Sequence, residues 1–272
     1  MFNIPVGEVF EGIVNWLQLY ASGFFDLISF LISFIVSNIE QLLLLFPAVI
    51  LIIFIFVLAY YLSGRGVAIF TLIGLFLIYS MGMWEETIKT LAMILTAGIV
   101  ALGIGIPIGI MSAKNNITNN ILRPILDFMQ TMPPFVYLIP AVIFFGMGMV
   151  PGVIATVIFS MPPAIRLTNL GIRQVDEEVV EAANAFGSTP WQILYKVQLP
   201  LAIPTIMAGV NQTIMLALSM VVISSMIGGG GLGSVVLRGI TQLKIGLGFE
   251  GGVSVVILAI ILDRLTQSVK NY

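Results

Sequence analysis

Apolar residues come in long uninterrupted blocks, with polar residues gathered between them. Seven blocks stand out, at 42–62, 67–83, 90–111, 135–149, 152–167, 203–227 and 252–265. Crossing a bilayer takes about 20 mostly apolar residues in helical conformation, so each block is read as a membrane-spanning helix. Residues 24–39 show a different pattern. Asp26, Ser29, Ser33 and Ser37 recur every three or four positions and form one polar stripe, while the opposite side is Phe and Ile. With residues 10–20 before it, this segment is expected to be an amphipathic helix lying at the membrane interface. The alternative is an eighth span packed through its serines.

The polar stretch between the fifth and sixth blocks, "EAANAFGSTPWQILYKVQLP", is patterned for two short helices. Asp176 is a good N-cap, and Glu177 and Glu178 fall in the first turn, where the helix dipole favours anions. That helix is expected to run to Phe186, with Gly187 as a left-handed stop. Thr189, Pro190 and Gln192 then spell an N-cap, a first-turn proline and a capping box. The second helix is expected to end at Pro200. Together the two would form a compact knob, kept slim by Ala182 and Ala183.

Composition agrees with the blocks. Of 272 residues, 59% are hydrophobic and 9% charged, with a mean hydropathy of +1.11, whereas a soluble domain carries about 25% charged residues. The chain is an integral membrane protein of the all-α class. It has no cysteine and no histidine, which removes thiol chemistry, disulfides and histidine-based metal or proton sites. No catalytic residue, metal, cofactor or nucleic-acid partner is expected. Met1 to Glu11 has no basic segment, so a cleaved leader is not expected either.

Charge placement orients the helices. With the knob inside, Arg65, Lys114, Arg123, Arg166, Arg173, Lys196, Arg264 and Lys270 lie on the cytoplasmic side, and Lys89, Arg238 and Lys244 outside. Seven spans and a cytoplasmic C-terminus put the N-terminus outside. The division expected is an interfacial segment at 1–41, two spans within 42–83, a core at 84–268 holding the loop 170–200, and a cytoplasmic tail at 269–272.

Several spans contain helix breakers. Pro133, Pro134 and Pro140 cluster in "MQTMPPFVYLIP", and prolines free backbone carbonyls that in lipid need neighbours or a water-lined cavity. A broken segment beside a path is expected there. Met129, Thr131, Met132, Pro133, Pro134 and Tyr137, with Ser219 and Met220 from the sixth block, are candidate path residues, and plain packing is the competing explanation for each. "GGGGLG" at 228–233 fits a dinucleotide fingerprint, but it comes after an apolar helix and lacks the lysine of a phosphate loop. It is expected to be a flexible outer turn. "EETIK" at 85–89 reads as a short outer loop. Asp127 and Asp263 lie beside Arg123 and Arg264 in sequence, toward the cytoplasmic ends of their segments. No carboxylate falls at a span centre, which leaves proton or sodium coupling without a carrier and argues against a stand-alone secondary transporter.

The polar stretch also carries a resemblance. Glu181-Ala182-Ala183, Gly187, and Val197-Gln198-Leu199-Pro200 stand at the spacing of the signature in bacterial ABC importer permeases, with Val197 where Ile is commoner. Residues 126–175 and 211–233 resemble the glycine betaine/proline betaine permeases of osmoprotectant uptake systems, and the similarity extends over about residues 42–267. The resemblance implies a type I importer permease fold. It implies that the knob is a coupling helix docking on a cytoplasmic ATPase subunit through Glu181, Ala182, Ala183, Phe186 and Gly187. It further implies a homodimer around a central path, an extracytoplasmic substrate-binding protein as a separate subunit, and a bacterial cell-membrane location. The expected cargo is a betaine-type quaternary ammonium solute, with choline, carnitine or an amino acid as alternatives.

Overall fold

The structure, a computed structural model, describes residues 6–268. The chain order is α1 (Val6–Tyr20), α2 (Ser22–Leu44), α3 (Ala48–Ser63), α4 (Arg65–Ser80), α5 (Trp84–Lys114), α6 (Asn116–Thr131) and α7 (Pro134–Phe145). Beyond these lie α8 (Met149–Arg173), α9 (Glu177–Ala185), α10 (Pro190–Ile193), α11 (Leu199–Ser224), α12 (Gly231–Thr241) and α13 (Ile245–Ser268). No strand occurs among the described residues. Lys270 and the expected tail at 269–272 lie outside them, as does Asn3 near the N-terminus.

All seven apolar blocks fall on helices, with shifted ends. Residues 42–44 finish α2 and do not open the first block's helix. The residue before a proline is steered away from helical conformation, so Pro47 separates α2 from α3 and caps the latter with extended backbone. The segment 85–89 is the first turn of α5, not a loop: Glu85 and Glu86 sit at its positive N-terminal end, and Glu86 lies 3.7 Å from Arg238. Residues 170–173 still belong to α8, so the polar loop begins later than expected. The block at 135–149 falls mostly on α7, the second half of a bent helix pair. α6 and α7 meet at Met132-Pro133 with a bend of 99°.

By length and hydropathy, α2, α5, α8, the run Pro190–Ile227 and α13 can each cross a membrane, and the bent α6–α7 pair makes a sixth candidate. α3 and α4 have 16 residues each, or ~24 Å of helix, short of the ~30 Å hydrocarbon core. They pack as a hairpin turned at Gly64, where φ is +84°.

α5, α8 and α11 form the centre. Their contact depends on small residues, which let helices approach closely where lipid supplies no hydrophobic drive. A Cβ on Gly109 would lie 2.6 Å from the Thr168 Cβ and 2.8 Å from the Ile165 carbonyl. One on Gly209 would lie 3.0 Å from the Leu167 Cβ and 3.2 Å from the Pro163 carbonyl.

Two faces can be told apart. At one, Arg173 donates to the Ser112 carbonyl at 2.9 Å and Lys114 sits over Trp191, joining the ends of α5 and α8 to the knob. At the other, the Gly148 N–H donates to the Ile227 carbonyl at 2.9 Å and the Leu232 N–H donates to Thr90 at 2.8 Å. α13 starts beside α12 at this far face and ends near Ser63 of α3, whose hydroxyl donates to the Arg264 carbonyl at 3.0 Å. Near its start, α2 stacks Phe25 on Phe144 at 4.4 Å, close in sequence to Gly148. At its end, α2 leads through three residues to Ala48, at the opposite end of α3 from Ser63.

Overpacking a filled helix contact costs about 1–3 kcal/mol. Gly109→Val is therefore expected to lower the thermal midpoint of the purified protein clearly. Gly103→Ala, where a Cβ meets nothing within 4 Å, is expected to leave it within a degree or two. Equal midpoints for the two variants would show that the α5–α8 contact is not close-packed.

Candidate functional site

The knob is built as its sequence suggests up to its last turn. Asp176 accepts from the Glu178 N–H at 3.1 Å and starts α9. At the other end the Ser188 N–H donates to the Ala183 carbonyl at 3.1 Å and the Gly187 N–H to the Asn184 carbonyl at 2.9 Å. This six-to-one and five-to-two pair is a Schellman stop, and it requires the left-handed φ of +76° found at Gly187. Thr189 and Gln192 then exchange backbone and side-chain bonds, the Thr189 N–H donating to Gln192 Oε1 at 2.8 Å. Neither orphaned helix end depends on a mobile group.

The end of the second helix departs from expectation, because Pro200 does not terminate it. α10 passes at Leu194–Gln198 into a π turn, in which the Leu199 N–H reaches back to the Leu194 carbonyl, and continues directly as α11. Proline has no N–H to donate and is tolerated in the first turn of a helix, and the widened turn absorbs the local strain. Ile193 is buried, and Leu194 is buried against Ile172 of α8 and Ala202 of α11, which fixes the knob to the core.

Outward, Glu181, Ala182, Phe186 and Gly187 are exposed and Ala183 is half-buried. Phe186 is 91% exposed at the tip. The sequence reading missed Trp191 and Tyr195. They stand four apart on the helix and stack at 5.7 Å with nearly parallel rings, and the Lys114 Nζ lies 4.6 Å from the Trp191 ring. A cation over an exposed ring contributes about 0.5–1 kcal/mol. The i, i+4 spacing of two aromatics in the polar loop was the available signal.

The candidate path residues gather only in part. Tyr137 and Met220 are buried in one small apolar cluster with Ala155, and Met132 packs against it. The Tyr137 hydroxyl donates to the Met129 carbonyl near the break, where Pro133, four residues on, has no N–H to donate. Thr131 donates to Phe128, Pro133 is exposed, Pro134 is half-buried and opens α7, and Ser219 faces outward on α11 with its hydroxyl on the Met215 carbonyl. Within a single chain Tyr137 and Met220 are therefore packing residues. Of the α11 candidates, only Ser219 presents itself outward.

Three local environments are set by tertiary contacts. Asp127 pairs with Arg166 of α8 at 2.5 Å, not with Arg123. Asp263 accepts from Gln267 at 2.7 Å and from Asn211 at 3.4 Å, not from Arg264. The glycine run at 228–233 is a packed corner, not a flexible turn: Cβ atoms on Gly231 and Gly233 would lie 2.5 Å from Thr90 Oγ1 and 2.6 Å from the Val222 carbonyl.

Among the described residues the chain is thus an all-helical bundle with a sharply bent α6–α7 pair and a capped two-helix knob on one face. The fold is matched by the inward-facing MetNI methionine ABC transporter, with a TM-score of 0.60 and 21% identity over 67% of this chain and 92% of that one. The chain belongs to the family of binding-protein-dependent transport system inner membrane components, whose model matches residues 105–270. It is 51% identical over 268 residues to the glycine betaine transport system permease protein OpuAB of Bacillus subtilis, covering 98% of this chain and 95% of that one. Against the glycine betaine/carnitine transport permease protein GbuB of Listeria monocytogenes it is 52% identical, with the same coverage. The glycine betaine/proline betaine transport system permease protein ProW of Escherichia coli is 52% identical over 98% of this chain and 75% of its own length. The chain is thus a multi-pass inner membrane transport subunit of a class that works with ATPase and substrate-binding partners.

An L-residue held at left-handed φ costs about 1–2 kcal/mol. A Cβ on Gly187 would meet nothing within 4 Å, so the expected outcome for Gly187→Val is a normally inserted protein with a displaced knob tip. Transport by the assembled complex is expected to fall severalfold while expression and membrane insertion stay at wild-type level. Undiminished transport would remove the functional role given to this turn.

Proposed function

We propose that this chain is the membrane-spanning subunit of an ATP-driven, binding-protein-dependent importer of glycine betaine or a related quaternary ammonium osmoprotectant. The observation that carries the coupling role is the knob itself. A nearly fully exposed phenylalanine, Phe186, stands at the tip of a two-helix unit capped at every end and fused to α11. Exposed apolar anchors on rigid elements suit a partner's groove. Glu181, Ala182, Ala183, Phe186 and Gly187 are the residues through which a cytoplasmic ATPase subunit takes hold. Closure of two such ATPases pulls the knobs and switches the side to which the path opens.

The cargo reading rests on relatives named for glycine betaine at 51% and 52% identity over nearly the whole chain. Two copies surround the path, with the outward side of α11, including Ser219, and the broken α6–α7 span turned toward it. The chain sits in lipid with the knob face inside and seven spans: α3, α4, α5, α6–α7, α8, α11 and α13. α2 lies along the outer interface, supported by the attachment of both its ends toward the face away from the knob. The N-terminus is outside and the C-terminus inside.

In liposomes, the permease alone is expected to be inert toward glycine betaine. Uptake appears when ATPase subunits, binding protein and ATP are all present. Phe186→Ala and Glu181→Lys reduce ATPase co-purification and uptake together, by about tenfold if the lost contact is worth ~1.5 kcal/mol. Gradient-driven uptake by the isolated chain would overturn the reading.

Topology has its own readout, because the chain contains no cysteine. A single cysteine at Asn184 is expected to react with an impermeant maleimide only after permeabilisation, and one at Asn3 in intact cells. Protection of Asn3 in intact cells would mean that α2 crosses the membrane.

A further inference from the structure

Polar side chains at membrane depth are costly unless they face water, protein or a solute. Near its middle, α11 carries two consecutive amides, Asn211 and Gln212, within an otherwise apolar run. They border a cavity of about 840 Å³ between α3, α11 and α13, shared with Ser63, Arg264, Thr266 and Gln267. The knob-side ends of α3 and α13 form its rim.

The hydrogen bonds divide these groups into two kinds. Asn211 is engaged at both ends: its amide donates to Asp263 at 3.4 Å, and its carbonyl oxygen accepts from Thr266 at 2.5 Å. Gln267 also donates to Asp263, at 2.7 Å. The Asp263 carboxylate is thus held in place by neutral amides, and among the described residues it pairs with no cation. Arg264, next to it in sequence, has no ion pair; the two pairs among the described residues are Arg166–Asp127 and Arg238–Glu86. Gln212 is exposed, and among the described residues its side chain makes no hydrogen bond. Among those residues the wall therefore offers a guanidinium without an ion pair and a carboxamide without a partner, next to the Asp263 carboxylate held by the lining residues Asn211 and Gln267. Met207 and Met215, one turn to either side along α11, add soft apolar surface.

Separated opposite charges beside thioether surface match a small zwitterion with a carboxylate at one end and a methylated ammonium at the other. We infer that this cavity is an inner solute site of the permease itself. The solute's carboxylate binds Arg264 and Gln212, and its ammonium head lies against Met207 and Met215 within reach of the Asp263 charge. A methylated ammonium has no N–H to donate, so an apolar wall near a carboxylate serves it better than acceptors would. The guanidinium supplies two parallel donors to a carboxylate, which a neutral side chain cannot replace. The inference rests on the cargo reading above and adds to it a residue-level site in this chain.

The test uses the permease with its ATPase subunits in nanodiscs, without the binding protein. Saturation-transfer NMR tracks the N-methyl protons of glycine betaine; choline, which lacks the carboxylate, and acetate, which lacks the ammonium head, serve as competitors. Saturable glycine betaine binding is expected, with choline and acetate competing poorly. Arg264→Gln weakens it by about tenfold or more, Gln212→Leu weakens it severalfold, and Arg264→Lys restores part of the loss. ATPase co-purification confirms that each variant is assembled. Unchanged binding in Arg264→Gln, equal competition by choline, or no saturable binding overturns the inference. Uptake by the same wild-type complex, with binding protein added, separates the two readings. Uptake without binding leaves the importer standing and removes the site. Arg264-dependent binding without uptake leaves the site standing and removes the cargo reading.

Discussion

The bilayer core offers no hydrogen-bond partners, so every break in a helix must be satisfied by the protein itself. That constraint decides where irregular backbone occurs in this chain. The break between α6 and α7 is served by the Tyr137 hydroxyl on the Met129 carbonyl. The corner between α11 and α12 is closed by Gly228 and Gly229 N–H groups donating to Ser225 and Ser224 carbonyls, and by Thr90 accepting from Leu232. In α5 and α8, Thr87, Thr96 and Thr156 return their hydroxyls to carbonyls one turn back. Only where the chain leaves the apolar layer does it use side chains as caps, at Asn115, Asp176 and Thr189.

The same constraint explains the division between core and periphery. α5, α8 and α11 approach closely through Gly105, Gly109 and Gly209 and carry most of the buried serine and threonine hydroxyls among the described residues. α3 and α4 are too short to span an average bilayer without help and keep large apolar side chains outward, such as Phe54, Phe76 and Tyr61. The centre carries the machinery, and the hairpin presents a surface suited to lipid.

Much of this was legible in the sequence, for physical reasons that differ by element. Apolar blocks located the helices because lipid tolerates little else, although by length α2 can also cross and α3 and α4 are short. The knob was legible residue by residue, because caps and stops obey local rules: Asp176, Gly187, Thr189 and Gln192 all act as their chemistry requires. What the sequence hid was tertiary. Asp127 has Arg123 four residues away, yet its partner is Arg166 across a helix contact. The glycines at 231 and 233 read as loose, yet they are small because Thr90 and the Val222 carbonyl leave no room. Pro200 read as a terminator, since local rules do not foresee a π turn that lets the helix pass through. Tyr137 and Met220 showed the right chemistry for a path, but burial in a common cluster is a property of the folded pair.

The π turn has a mechanical consequence. Because Leu194–Gln198 joins α10 to α11 without a loop, the knob and the longest part of the sixth predicted span form one arm. α11 has 26 residues, or ~39 Å of helix at 1.5 Å per residue, so each degree of tilt displaces its far end by about 0.7 Å. A pivot near the buried Leu194 converts a small rocking at the membrane surface into a swing of several ångströms at Ser224 beyond it. The glycine corner at 228–233 follows directly on that far end, and its lack of side chains lets the arm's end pack closely there.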